Sequence, residues 1–534
     1  MKPGRLRNRV ALVLFLGGYA VAMYWVFTRS SPLAEERPIT IRIAHWQIEL
    51  GPPDGMAAVI QRYEALHPKV RVKQVLIPST VYRQWLRSNF SGGTAPDIVE
   101  YGAWLDGLSD FPARYFEPLT ADLLQPNPYN AGTPIAGRPW LKTFVDELLE
   151  QRLNSPEPGQ YYAITITRGS IRFFCNRDLL RKITGSDEPP HNLKDLRALF
   201  SQVEAYAQHS PRPLHSLAGS RDNALWLMGF YLGGLTNRLG RSLDMEGVHT
   251  VYPRQLLHAY LKGRISYAMP DLRAGLEVLQ EFGRQMKSGF MQLGRDEAVR
   301  EFLAGEALFI FAGTWDATTL RRSADFPVGV LRMPQATADD PVVGPYIMGP
   351  FSDGDNTTSF GFYLNREGAN RATAVDFLRF LTSYESSKLF MEKSGWVSGI
   401  AEVPVPGDLA AYLSPGDGYA YGASLPNSGS NMRMSLERNL HLLTGPQGTV
   451  DQLTEVLAAE APEAARADLR AEQRAATIVV LPQDARIAAL GLLAGATSQD
   501  QAIILRRERL EAAQTQSEAR ALMIGSWLQA AGPP

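Results

Sequence analysis

The 534 residues are 45% hydrophobic and 20% charged, close to globular averages, so the chain can bury one large core or two medium ones and is not a disordered tail. Its 54 basic and 55 acidic residues leave a formal charge of −1, which offers no field to hold nucleic acid and suits a small neutral partner better. The single cysteine, Cys175, excludes an intramolecular disulfide and a multi-cysteine metal site, and the eight histidines form no ligand-like pair, so neither metal nor cofactor is expected.

Lys2, Arg5, Arg7 and Arg9 precede an apolar run, Val10 to Phe27. A basic flank followed by about eighteen apolar residues reads as an uncleaved membrane anchor, with the bulk of the chain on the periplasmic side; Ala20-Val21-Ala22 offers the alternative of cleavage and release. A polar linker follows, and then "ITIRIAHW" alternates as a half-buried strand does. "MAAVIQRYEALHP" carries a helical stripe stopped by Pro68, "VRVKQVLI" is a second strand, "VYRQWLRSNFSGG" a second helix and "DIVEYG" a third strand. That alternation predicts a layered α/β lobe with a mainly parallel sheet. Further along, "YYAITI", "IRFFCN", "ALFIFAG", "FPVGVLRM" and "SFGFYLN" read as strands between helical segments, and beyond Leu436 the chain is mainly helical.

Four stretches in this order resemble the family 1 extracellular solute-binding proteins of ABC importers, the maltodextrin-binding-like group: "AHW" with "IQRYEALHPKVRVKQV", "SGGTAPDIVEYG", "EFLAGEALFIFAGTWD" with "FPVGVLRMP", and "NREGANRATAVDFLRFLTSYESSKLFMEKSG". The resemblance implies a two-lobed periplasmic-binding-protein-like α/β fold, each lobe a mainly parallel sheet flanked by helices, closing around a sugar by hinge motion. It divides the chain into an anchor and linker (1–38), first lobe (39–163 and 358–408), second lobe (164–357 and 409–465) and a helical C-terminal extension (466–534). It also implies that the partners are a carbohydrate, the permease subunits in the inner membrane and, through the N-terminal helix, the bilayer.

A neutral sugar needs flat apolar platforms and many hydrogen bonds. Trp315, at the carboxyl end of "ALFIFAG", is where open α/β sheets bind ligands and reads as a stacking platform. Trp46, Gln47 and Glu49 follow the first strand in a Gly/Pro-rich loop. Tyr101 and Trp104 lie just past the third strand, Arg168 and Ser170 at the first crossing between lobes, Asn223 in a matched segment of the second lobe, and Arg433 where some relatives stack an aromatic, so that an acidic sugar would meet it. Asp97 reads as fixing a turn and Trp226 as core. A glycoside hydrolase would need two carboxylates at defined separation, and no recognised catalytic motif accompanies the carboxylates here. An anchored sensor or assembly factor built on the same fold is the other reading, motivated by the C-terminal helices, whose Ile503, Ile504, Leu510, Ala513 and Leu522 face either the chain's own lobe or a partner.

Overall fold

The computed structural model describes residues 39–532 except 103–110, 150, 152–154, 156–158, 246, 248–250, 353–357, 420–421, 446 and 497–500, together with the isolated positions Gly17 and Met23. The expected anchor otherwise lies outside the described residues, as does Trp104.

Among the described residues ten strands are formed: β1 (Ile39–His45), β2 (Val70–Leu76), β3 (Ile98–Glu100), β4 (Phe116–Glu117), β5 (Ala163–Arg168), β6 (Ile171–Asn176), β7 (His215–Ala218), β8 (Ala307–Gly313), β9 (Val328–Leu331) and β10 (Thr358–Asn365). They make two sheets, one ordered β2-β1-β3-β10-β4 with β5 added on β10, the other β7-β8-β6-β9. In the first, the alternation of "ITIRIAH" buries Ile41 and Ile43, and the helix Pro52–Leu66 turns Met56, Val59, Ile60 and Tyr63 into the same core. Spacings of three and four residues put those four side chains on one helical face.

The sheets are mixed rather than mainly parallel. β1 runs parallel to β2 and β3, and β7 parallel to β8; β10 is antiparallel to β3, β4 and β5, and β6 to β8 and β9. The cause is the crossings between sheets. β5 passes into β6 through Gly169 and Ser170 alone, with no helix to bring the chain back in the same direction, and β10 returns antiparallel to the strand it joins.

A third segment, residues 396–413, is hydrogen-bonded to both β5 and β6. Gly399 N donates to Ile166 O at 3.0 Å and Arg168 N to Val397 O at 2.8 Å. The buried Arg172 guanidinium donates to the carbonyls of Ala411 and Leu413 at 2.8 and 2.7 Å. One continuous apolar cluster therefore runs from Ile43, Ile164 and Phe362 of the first sheet, through Val403, Leu409 and Tyr412, to Phe174, Ile310 and Ala312 of the second.

The C-terminal helices are Val450–Ala496 and Gln501–Ala530. Val450, Leu453, Leu457, Ala461, Ala465 and Leu469 are buried in the second lobe's core with Ile524. Asp468 accepts from the backbone N–H groups of Asn431 and Met432 at 2.9 and 3.1 Å, so a carboxylate on the long helix caps the helix Ser430–Asn439.

Candidate functional site

β8 is buried along its whole length. At its carboxyl end the chain uses glycine because Trp315 folds back across it: a Cβ on Gly313 would lie 2.0 Å from the indole Cε2. The same indole borders the first crossing, where a Cβ on Gly169 would lie 3.9 Å from Cε3. It meets Trp226 edge-on, with centroids 5.6 Å apart at 81°. Trp226 projects from the helix Arg221–Leu235, and both indoles are half-buried. Two indoles held this way form an apolar platform with a fixed tilt.

Next to the platform lies a charged group. Asp316 is 3% exposed, and burial pushes its carboxyl pKa up to about 7, with Arg295 pulling it down and Glu49 pushing it further up. Arg295, the first residue of the helix Arg295–Leu303, has Nε 3.7 Å from Asp316 Oδ1 and donates through Nη2 to Glu49. Burial works against the Arg295 charge, but Asp316 and Glu49 outweigh it and hold its pKa above the usual value. This trio joins the loop after β1 in the first lobe to the strand end of β8 in the second.

Glu100, fully buried at the end of β3, sets the shape of the first-lobe loop. Its carboxylate accepts from Trp46 N at 3.0 Å and from Gln47 Nε2 at 2.5 Å. Burial raises the Glu100 pKa well above the ordinary carboxylate value, and these two hydrogen bonds oppose the rise. Trp46 stands edge-on to Tyr82 at 5.0 Å, which leaves it half-buried at the rim of a small aromatic core.

From the expected set, Glu49 is linked through Arg295 to Asp316, next to Trp315, and Arg168 and Ser170 flank the turn at Gly169 that borders its ring, while Trp46 and Gln47 are held by Glu100 in the first lobe. Arg168 and Ser170 are engaged with the protein itself: Arg168 Nε donates to Ser398 O at 2.9 Å, burial lowering its pKa, and Ser170 Oγ donates to Tyr412 O at 2.5 Å. Two residues have roles other than those expected. Tyr101 is buried between Phe111, Phe116 and Tyr363, because β3 ends by turning this ring into the first lobe's aromatic core rather than out of it. Asn223 is fully buried; its Nδ2 donates to Phe311 O and its Oδ1 accepts from Ser220 Oγ, tying the start of its helix to β8. Arg433 lies on Ser430–Asn439 with Nε 3.6 Å from Glu437, one turn along.

Sequence reasoning left out Arg295 and Asp316; Trp226, read as core, does pack against the second lobe's core and also meets Trp315. Asp316 stood in the quoted "GTWD", but Arg295 is 246 residues from Glu49, and no local pattern marks that pairing. Among the described residues no group of three or more His, Cys, Asp or Glu is placed to hold a metal ion.

Residues 58–413 match the profile of the family described as bacterial extracellular solute-binding protein. The chain belongs to that family. Several solved structures share the two-lobed fold of this solute-binding protein. A chitin oligosaccharide binding protein is 16% identical over 80% of this chain and 99% of its own, with a TM-score of 0.56. The GacH receptor of Streptomyces glaucescens, solved unliganded and with acarbose, is 16% identical over 80% and 98%, TM-score 0.55. Maltose-bound MalE3 of T. maritima is 17% identical over 79% and 99%, TM-score 0.53. Comparison with curated proteins gives no match.

Proposed function

We propose that this solute-binding protein captures a sugar or oligosaccharide between its lobes and hands it, unaltered, to the permease subunits of an ABC importer. The observation that carries the reading is the Trp315–Trp226 platform at the carboxyl end of β8, coupled through Arg295 to the polar loop Trp46–Glu49 of the opposite lobe. A pyranose ring presents an apolar C–H face and a rim of hydroxyls, and a site with one aromatic plate and carboxylate and amide edges meets both. Relatives of the same fold bind chitin oligosaccharide, acarbose and maltose. Closure follows from ligand contacts that only the closed arrangement makes, a shift of population toward the form a permease recognises. An anchored sensor would share the capture step, and the long C-terminal hairpin favours it as the second reading.

The test is a thermal-shift screen against mono- and oligosaccharides, uronates, polyols and glycerol phosphates, because a ligand bound only by the folded state raises the melting temperature. A shift for one carbohydrate class establishes binding; silence across the panel overturns the reading.

A further inference from the structure

The inner half of the C-terminal hairpin is lobe core; the outer half is not. The ion pair between Arg254 and Glu472, at 3.7 Å, lies near where the long helix leaves the lobe. From there to Ala496 the helix continues for roughly 36 Å at 1.5 Å per residue. Hydrogen bonds from Gln473 Nε2 to Ala521 O and from Gln514 Nε2 to Asp484 Oδ1, at 3.3 and 2.6 Å, fix the antiparallel register. That register brings Leu492 and Leu493 level with Leu505.

At this distal level the apolar side chains are open to water: Leu492 is 77% exposed, Leu493 52% and Leu505 48%. They point in different directions, since neighbours on a helix are about 100° apart and Leu505 belongs to the other helix. The long helix contains an 18-residue stretch of mean hydropathy 1.4 of which only 13% is buried. An apolar end exposed on several sides does not fit a groove on a protein, which needs one face; it fits a medium that is apolar in every direction. Arg506 and Arg509 follow immediately along the second helix, with Arg486 on the first, at the height where phosphate headgroups would meet them, while Arg507 is paired with Glu511. Beyond Arg486 the described apolar block of the long helix runs from Ile487 to Ala494, less than half of what spans a bilayer and short enough for an interfacial segment.

We propose that the distal end of this hairpin beds at a shallow angle into an anionic phospholipid surface, giving the protein a membrane contact separate from the N-terminal apolar run. The contact fixes which way the second lobe faces the bilayer, and it holds whether or not the cleft binds sugar.

The test uses the full chain reconstituted in vesicles of phosphatidylglycerol and phosphatidylethanolamine, with an environment-sensitive fluorophore on Leu493→Cys, on Leu505→Cys or on the control Glu455→Cys. The only native cysteine, Cys175, is buried and does not compete for label. The expected result is a blue shift and quenching by brominated lipid at 493 and 505 and neither at 455. Replacing Arg506 and Arg509 by Gln should weaken the signal by about fivefold per arginine. Unchanged emission at 493 and 505 in vesicles overturns the proposal. So does a blue shift without lipid that grows with protein concentration, which would mean that a second copy of the chain covers the apolar end.

Discussion

Gly313→Ala is the sharpest probe of the platform, because it displaces Trp315 without altering the ring. The new Cβ would stand 2.0 Å from the indole Cε2 and 2.1 Å from Cζ2, whereas ordinary contacts begin near about 3.4 Å, so the indole must move by roughly 1.5 Å. That shift breaks the edge-on contact with Trp226 at 5.6 Å, worth about 0.5–1.5 kcal/mol, and adds an overpacking cost of about 1–3 kcal/mol. Replacing glycine in the strand recovers about 0.5–1 kcal/mol of backbone entropy. The net expectation is a loss of about 1–3.5 kcal/mol in stability, read by urea unfolding, and an approximately tenfold weaker affinity for whichever carbohydrate the thermal-shift screen identifies. Trp315→Ala, which removes the plate outright, should cost about 1–3 kcal/mol of binding. If Trp315→Ala weakens binding while Gly313→Ala leaves both affinity and indole quenching by acrylamide unchanged, the claim that glycine positions the ring is refuted.

Arg295→Met strands the Glu49 and Asp316 carboxylates at the lobe junction and should cost about 2–4 kcal/mol in urea unfolding, discounted for the partial exposure of the arginine; no loss would show that the trio does not couple the lobes. Asn223→Ala leaves Phe311 O without its donor and is expected to lower stability by about 1–3 kcal/mol while sugar affinity, measured by calorimetry on the folded protein, stays the same. His45 is buried against Phe360 and hydrogen-bonded to Gln74, and burial lowers its pKa to about 3. The unfolded chain therefore binds more protons between about pH 3 and 6.5, so His45 makes stability rise with pH across that window. His45→Gln should flatten the rise; an unchanged slope in urea titrations from pH 4 to 7 would contradict the burial argument.

Much of the fold could be read in the chain because burial and period coincide there. The apolar run of β8 and the Met56, Ile60 and Tyr63 positions of the first helix are set by local pattern, and the structure keeps both. β7 escaped notice because His215–Ala218 is too short to alternate. Strand direction was misjudged because periodicity reports which side of a strand is buried and says nothing about which way the chain runs. The candidate site was legible in halves: Trp315 stands at a strand end, and Trp46 to Glu49 in a loop after one. What joins the halves is Arg295, and its partnership is made only in three dimensions. Asn223 misled for the converse reason, since an amide near a cleft serves equally well to fasten a helix to a strand.

The apolar strip that passes from the first sheet through Val403, Leu409 and Tyr412 to the underside of the second also decides how the lobes can part. Pulling them straight away from each other would tear Phe174 and Ile310 out of a packed interior, so separation must pivot about residues 396–413. The Glu49–Arg295 pair lies beside that pivot, since a Cβ on Gly51 would stand 2.2 Å from Ser394 O and Thr318 Oγ1 donates to Ser394 O at 2.7 Å, so it moves little as the lobes part.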